Sequence, residues 1–378
     1  MSLQDADVVR LQQALGLAAQ AIGLSDPNPR VGCVVAAADG AVLGIGSTQE
    51  AGAAHAEAMA LRAAGGRSLA GATAWVTLEP CSHHGRTPPC CDALLAAGIA
   101  RVAVATVDPN PLVAGKGMAR LRAAGVEVAL ADPASALAVA ARELNIGFFS
   151  RMLRARPWVR MKIAASLDGR TALLNGSSQW ITGLAARADG HAWRKRAGAV
   201  LTGIGTVLAD DPRLDVRLVD TARQPLRAVV DSHLSTPPTA RLLDAPGAAL
   251  IYTATPGAQR SAALEARGAK IEALAGPDGK VDLAAMLVDL ARRGVNELHV
   301  EAGPRLNAAL LRAGLVDELL VYLAPKLLGI GREMAAFGPL ADLAEASAFE
   351  FTDLARIGPD LRLLARPPGR ADFLTSLP

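Results

Sequence analysis

Aromatic residues are scarce in this chain: six Phe, four Trp and two Tyr make up 3% of 378 residues. That leaves few ring platforms for stacking exposed bases. The net charge of +3 comes from interspersed charges and not from a basic block, so nucleic acid is not an expected partner. No apolar run reaches the length of a membrane-spanning helix. Met1 to Leu11 carries Asp5, Asp7 and Arg10 and no apolar signal core, as expected of a cytoplasmic protein. Cysteine is also sparse. The four, Cys33, Cys81, Cys90 and Cys91, all fall in the first quarter, and in a cytoplasmic chain disulfides are disfavoured. Metal binding is the expected use of at least two of them. What the chain has in excess is Ala, Leu and Val, which carry the hydrophobic fraction to 51%, and its length predicts at least two domains.

Periodicity predicts a helix over 8–23, a strand pair over 31–36 and 41–45 around Asp39-Gly40, a helix over 53–64 and a strand over 72–78. Pro88-Pro89 opens a helix over 90–97 that stops at Gly98. Strands over 102–107 and 126–130 alternate with helices over 116–124 and 135–145. This alternation implies an α/β sheet between helical layers. A break is expected near 149–157, where Arg151, Arg154 and Arg156 precede Pro157, dividing the chain into domains 1–150 and 151–378. From Trp158 the pattern restarts with a strand, an Asp168-Gly169 turn, a loop through Gly176 and a helix over 185–197. Later strands are expected over 199–202, 227–230, 249–252, 297–301 and 318–323, and the tail from Pro367 reads as loosely held.

His55-Ala56-Glu57, followed by Pro80-Cys81 and Pro89-Cys90, supplies an imidazole, a carboxylate and two thiols in the order a zinc-dependent hydrolytic deaminase needs. In that chemistry a His and two Cys hold Zn²⁺, the metal activates a water, and a Glu that is not a ligand moves the protons. Residues two apart are separated by roughly 200° on a helix, so His55 and Glu57 can share a site only at a first turn. Cys90 also falls at a helix start, where the helix dipole favours a thiolate. Three ligands leave the open position of a catalytic zinc site. The usual pattern is P-C-x-x-C, whereas here the third residue after Cys81 is His84 and the next thiols are Cys90 and Cys91. Either His84 or Cys91 could be the third ligand; helix-terminal placement favours Cys90.

Taken together, Asn28-Pro29-Arg30-Val31-Gly32, His55-Ala56-Glu57 and Thr77-Leu78-Glu79-Pro80-Cys81-Ser82-His83-His84-Gly85-Arg86-Thr87-Pro88-Pro89-Cys90 resemble the deaminase half of the bifunctional RibD family of riboflavin biosynthesis. In that family the thiols are separated by just such an insert. The resemblance implies a cytidine-deaminase-like three-layer αβα domain with zinc ligands His55, Cys81 and Cys90 and catalytic Glu57. It places Asn28, His83, Arg86, Asp108 and Asn110 in the substrate pocket. An amide, an imidazole and a carboxylate can read pyrimidine edges, and a guanidinium can meet a phosphate. The Asp108-Pro109-Asn110-Pro111 run would also make a turn in any protein.

The second half lacks a G-x-G-x-x-G after a strand, so a Rossmann site is not indicated. Its runs Met161-Lys162-Ile163-Ala164-Ala165-Ser166-Leu167-Asp168-Gly169, Gln179-Trp180-Ile181-Thr182-Gly183, Gly205-Thr206-Val207-Leu208-Ala209-Asp210-Asp211-Pro212 and Glu301-Ala302-Gly303-Pro304-Arg305-Leu306 resemble the family's reductase half, whose α/β fold is similar to dihydrofolate reductase. A strand ending at Glu301 that turns at Gly303 into a helix at Pro304 offers free N–H groups to a phosphate. The resemblance sets the NADPH pyrophosphate along Gly303, Pro304, Arg305, Leu306, Asn307, Ala308 and Ala309. Further cofactor contacts are implied at Ala164, Trp180, Thr206, Asp210 and Ser232, and substrate contacts at Ser178, Arg194, Leu214, Arg217 and Glu301. Lys162 and Asp210 are the candidate proton donors, and His191 stands where relatives often carry Gln.

The implied function is zinc-dependent deamination of 2,5-diamino-6-ribosylamino-4(3H)-pyrimidinone 5′-phosphate, followed by NADPH-dependent reduction of the ribosyl group to ribityl in a homo-oligomer. The alternatives are a zinc deaminase of another base or tRNA with an inactive reductase-like partner, and a zinc-stabilised interaction protein with a closed four-ligand site.

Overall fold

A computed structural model of the chain describes residues 3–83 and 88–375. They form two compact units, one reaching from the N-terminus through Ala155 and taking in the described residues from Ala371 onward, the other Arg156–Arg370.

The first unit runs α1 (Asp5–Ala19), β1 (Gly32–Ala36), β2 (Val42–Ser47), α2 (Ala56–Ala63), β3 (Thr73–Val76), α3 (Cys90–Ala96), β4 (Arg101–Val104), α4 (Lys116–Ala123), β5 (Glu127–Leu130), α5 (Ala136–Leu144) and α6 (Ile146–Arg154). Its sheet has the order β2-β1-β3-β4-β5, with β1 antiparallel to both neighbours and β3, β4 and β5 parallel. Leu11 and Ala14 of α1 and Leu137, Ala138 and Ala141 of α5 cover one face through Val34, Ala36, Trp75 and Ala103. Helices α2, α3 and α4 occupy the other, giving three layers. Gly44 and Gly46 let α2 lie directly on β2: a Cβ on Gly46 would stand 2.4 Å from the Ala56 carbonyl oxygen.

The boundary expected near 149–157 falls inside that stretch, between Ala155 and Arg156, a few residues after the expected 150/151 division. The residues before it are the body of α6 and no linker, because Phe148, Phe149 and Met152 recur at helical spacing and Phe149 is fully buried. The expectation of a loose tail is not met. A short turn at Asp372–Leu374 buries Leu374, and Phe373 lies under the Arg154 guanidinium, 4.3 Å from the ring centroid.

The second unit runs β6 (Trp158–Ser166), β7 (Arg170–Leu173), α7 (Leu184–Arg196), β8 (Ala199–Gly203), α8 (Ile204–Asp210), β9 (Leu226–Val230), α9 (Arg241–Asp244), β10 (Ala249–Thr253), α10 (Ala258–Glu265), β11 (Ala269–Ala273), α11 (Leu283–Arg292), β12 (Glu297–Val300), α12 (Pro304–Arg312), β13 (Glu318–Ala324), β14 (Gly331–Glu333), β15 (Glu350–Ile357) and β16 (Asp360–Arg366). Nine of these strands form one sheet in the order β11-β10-β9-β8-β12-β6-β13-β16-β15, parallel as far as β13 and closed by the antiparallel hairpin β15–β16. Both faces are covered, so its central strands read as continuous apolar runs. Ala228, Leu250 and Tyr252 face α11, whereas Val229 and Ile251 face α8, α9 and α10. Strand β7, paired with β14, lies in the stretch that reads from sequence as loop.

Candidate active sites

His55 is the N-cap residue of α2, with extended backbone, and Glu57 sits in the first turn, 3% exposed. The N-cap lies outside the helical screw, which is how two residues that would point apart mid-helix reach one site. Cys81 follows β3, and Cys90 is the first residue of α3 after Pro89. His55 Nδ1 lies 3.3 Å from Cys90 Sγ and 3.6 Å from Cys81 Sγ, and the three ligand atoms fall within 4.8 Å of one another. Tetrahedral zinc with ordinary Zn–N and Zn–S bonds separates such atoms by about 3.6 Å, so this donor set fits the ion. Cys91 turns away, its thiol 3.4 Å from the Pro80 carbonyl and 3.5 Å from that of Gly117. His84 and Arg86 lie outside the described residues.

Bonds from Cys90 and His55 outweigh burial and hold the Cys81 thiol at about 4, and the same bond with burial pushes Cys90 up. A divalent cation between the sulfurs draws both to thiolate. Burial, then the negative charge of Cys81, pushes Glu57 up to about 7. Glu57 supplies no atom to the ligand cluster, and so stands as a buried acid–base group beside it.

A cavity of about 290 Å³ opens over this cluster. Asn28, His83, Asp108 and Asn110 line it, together with His55 and Glu57. Among the described residues His83 Nδ1 is buried without a hydrogen-bond partner, an unmet polar atom in a ligand cavity. Asp108 is 6% exposed, and burial, which outweighs its bond from the Asn110 N–H at 2.7 Å, pushes it up to about 7. The 108–110 segment is thus both a turn and a cavity wall.

Two contributors are absent from the sequence reading. Glu79, quoted there only as part of a motif, is a buried carboxylate receiving N–H bonds from Gly115 at 2.8 Å, Gly117 at 2.9 Å, Met118 at 3.1 Å and Asp108 at 3.3 Å. It ties the segment after β3 to the loop bearing Asp108 and Asn110. The close approach requires glycine at 117, where a Cβ would stand 2.0 Å from the Pro80 oxygen. The other is α6, whose Phe148, Arg151 and Met152 form a further wall. Its helical apolar spacing was the available signal.

In the second unit the residues gather at the carboxyl ends of the parallel strands, where α/β sheets bind ligands. Arg194 of α7 meets Glu301 through Nε and, at 2.9 Å, through Nη2, and it donates to the Asp215 carbonyl at 2.8 Å. Lys162 Nζ lies 3.9 Å from Glu301. Burial works against the Glu301 charge, but Arg194 and Lys162 hold the carboxyl well below its usual range. Arg217, also expected at the substrate, pairs with Asp215 at 2.7 Å. Leu214 is 2% exposed with φ 55°, so its side chain belongs to the core.

Gly203 and Gly303 cap the adjacent helices α8 and α12. A Cβ on Gly303 would come within 3.7 Å of Thr206 Oγ1, and one on Gly203 within 3.2 Å of Leu306. Two helix N-termini thereby form a glycine-walled cradle suited to a dinucleotide phosphate. Pro304, Arg305 and Leu306 make the first turn of α12, with Ala309 a turn further on, whereas Asn307 and Ala308 are buried. Ala164 lies in β6. Ser232 follows β9 and accepts the Val281 N–H at 3.2 Å. Trp180 is 58% exposed beneath Arg187, in the same loop as Ser178. Asp210 ends α8 and is exposed.

Residues 5–106 match the family model of the cytidine and deoxycytidylate deaminase zinc-binding region, and residues 157–363 that of the RibD C-terminal domain. The Riboflavin biosynthesis protein RibD of Escherichia coli is 45% identical over 94% of this chain and 98% of its own length, and that of Aquifex aeolicus 40% over 95% and 98%. The solved structure of Acinetobacter baumannii RibD is similar with a TM-score of 0.87 at 40% identity, covering 96% of this chain and 98% of that one. A Thermotoga maritima diaminohydroxyphosphoribosylaminopyrimidine deaminase/5-amino-6-(5-phosphoribosylamino)uracil reductase follows at 0.84 and 31% identity over the same shares. Fold and site therefore define a two-unit enzyme that joins a zinc deaminase to an α/β reductase, with zinc and NADPH as cofactors. The chain belongs to the RibD family and is a bifunctional enzyme of riboflavin biosynthesis.

Proposed function

We propose that the first unit deaminates 2,5-diamino-6-ribosylamino-4(3H)-pyrimidinone 5′-phosphate and that the second reduces the ribosyl group of the product to ribityl. The observation that carries this reading is the buried Glu57 carboxylate beside His55, Cys81 and Cys90 but outside their ligand set. Those three residues would hold the zinc, which when bound would supply an activated water. Glu57 would take a proton from the attacking water and return it to the leaving nitrogen, so that water and the C2 amino group become a carbonyl and ammonia. Burial raises the Glu57 carboxyl above its usual range, which suits a group that both takes and returns a proton. Asn28, His83, Asp108 and Asn110 read the pyrimidine.

In the second unit, a bound NADPH would supply the hydride that reduces C1′ of the ribosyl group. The cradle of Gly303, Pro304, Arg305 and Leu306 with Thr206 holds its phosphates, and Ala164, Trp180 and Ser232 line the rest of its path. Glu301 and Arg194 orient the substrate. Of the two candidate proton donors, Lys162 stands beside Glu301, whereas Asp210 ends the exposed turn of α8. The enzyme works in the cytoplasm on small phosphorylated pyrimidines and as a homo-oligomer. The first point is supported by a described chain in which no helix is long and apolar enough to cross a membrane.

The test is incubation of the zinc-loaded chain with the diaminopyrimidinone phosphate and NADPH, following ammonia and nicotinamide absorbance together. Glu57→Gln should lower ammonia release by about 10²–10⁴-fold while NADPH oxidation with the deaminated intermediate continues, and chelation should do the same. Equal loss of both activities would contradict two separate sites.

A further inference from the structure

Strand β12 turns Leu298 and Val300 into the core that includes Leu287 and Leu290 of α11, so Glu297, His299 and Glu301 face the other side of the sheet, toward α7. Two of these three are met by arginines of that helix: Arg196 donates to Glu297 at 2.8 Å, and Arg194 Nη2 to Glu301 at 2.9 Å. His299, between them, is 0% exposed. Its Nε2 stands 3.2 Å from Glu301 Oε1 but out of line for a hydrogen bond. Among the described residues neither ring nitrogen has a hydrogen-bond partner. Burial, opposed by Glu301 and helped by the charges of Arg194 and Arg160, lowers the His299 pKa, so the ring is neutral with one N–H to donate. A buried imidazole with neither nitrogen bonded costs stability, and such a group calls for another state of the protein in which it is used.

We propose that His299 is a positioning residue of the reductase, which takes hold of the Glu301 carboxylate when Arg194 turns from it to the substrate. The inference rests on the reading above, in which Arg194 and Glu301 both meet the substrate, whereas in the structure the two are engaged with each other. Arg194 holds Oε1 through Nε and Oε2 through Nη2. A guanidinium that leaves removes both bonds, and Lys162 Nζ, at 3.9 Å, is outside hydrogen-bond distance. A buried carboxylate left without donors would oppose that departure. His299 lies beside the same Oε1 that Arg194 Nε releases, and a turn of the ring aims its N–H there. Oε2 then remains toward Lys162 and the ligand. The exchange keeps Glu301 in place and frees Arg194.

The experiment follows NADPH oxidation with the deaminated intermediate in the full zinc-loaded chain, His299→Leu and His299→Gln, together with Tm, NADPH affinity by nicotinamide fluorescence, and ammonia release. His299→Leu removes an unmet polar group and should keep or raise Tm. It should nevertheless lower kcat/KM for reduction by about 10–100-fold, chiefly through KM for the pyrimidine, with NADPH affinity and ammonia release unchanged. His299→Gln, whose amide N–H can reach Oε1, should regain most of that loss. A stability gain paired with a loss confined to pyrimidine binding is not what a packing residue gives. Full reduction by His299→Leu, or an equal loss in both variants, would overturn the proposal. A loss that spreads to NADPH affinity and follows a lowered Tm in both would make the imidazole a packing residue and overturn it as well. No NADPH oxidation by the unmodified chain would overturn the reductase reading along with it.

Discussion

At the scale of single residues the zinc cluster turns on adjacent positions with opposite surroundings. Cys90 and Cys91 are consecutive and both buried, yet one thiol faces His55 and the other faces two backbone carbonyls. The first residue of a helix and the second point about 100° apart, which is enough to separate a ligand from a core thiol. Cys90→Ser should therefore lose stoichiometric zinc and ammonia release, while Cys91→Ser should keep both at the expense of a modest loss of stability. Metal analysis of the two proteins checks this, and zinc retained in Cys90→Ser would sink the ligand assignment. Glu79 shows how a residue can matter without touching the chemistry. One carboxylate accepts four backbone N–H bonds and so fixes the loop that presents Asp108 and Asn110.

At the scale of elements, catalysis depends on how closely helices approach strands. The N-terminus of α2 carries both His55 and Glu57, and its position is set by its contact with β2 at Gly44 and Gly46. A methyl at 46 would stand 2.4 Å from the Ala56 oxygen and 2.6 Å from the Ala60 nitrogen and the Met59 Cβ. Gly46→Ala should cost about 1–3 kcal/mol through overpacking, and the displaced helix start should lower deamination by about 10–100-fold with reduction retained. Thermal unfolding and separate assays of the two reactions check the prediction; an unshifted Tm with full deamination would refute it. The second unit meets the opposite demand, since strands covered on both faces must place any charge they carry inside. Arg160 of β6 lies between Glu297 and Glu318, and Arg196 and Arg366 complete the neutralisation. Trp193 stacks on the same guanidinium at 4.3 Å.

For the molecule as a whole, two units with different chemistry also differ in how acid affects them. His191 of α7 is buried and accepts the Arg217 N–H at 3.1 Å through Nδ1. Burial, then the charges of Arg194 and Arg217, push its imidazole down to about 4. An unfolded chain protonates the same group near 6.5. The stability His191 contributes is therefore complete above about pH 6.5 and is lost as the pH falls toward about 4. In the first unit burial tends to raise Asp7, but its bonds to Arg101, the Gln4 N–H and Trp75 hold it at about 2. Its contribution persists to lower pH and is lost between about 4 and 2. Acid titration of unfolding should find the second unit weakening first, and His191→Gln should remove the part of that loss between about pH 6.5 and 4. An unchanged profile in His191→Gln would assign the loss to other groups.

The sequence by itself determined the chemistry. The order and spacing of His55, Glu57, Cys81 and Cys90, and the strand-to-helix turn at Glu301–Pro304, reflect local rules: helix termini, prolines and glycines act within a few residues and leave their mark in the chain. The alternation of strands and helices was legible for the same reason, and with it the α/β class of both halves. Only the tertiary structure decided what depends on residues far apart. It turned Cys91 away from Cys90, gave Glu79 its four donors, and set Arg194 against Glu301 although the resemblance had assigned both to the substrate. It also made the residues just before the unit boundary into the helix that brings Phe148 and Arg151 to a cavity built around residues 27 to 113. Such contacts come from packing, which optimises volume and charge across the whole fold. A guanidinium in a polar stretch reads as solvated until the structure shows what closes over it.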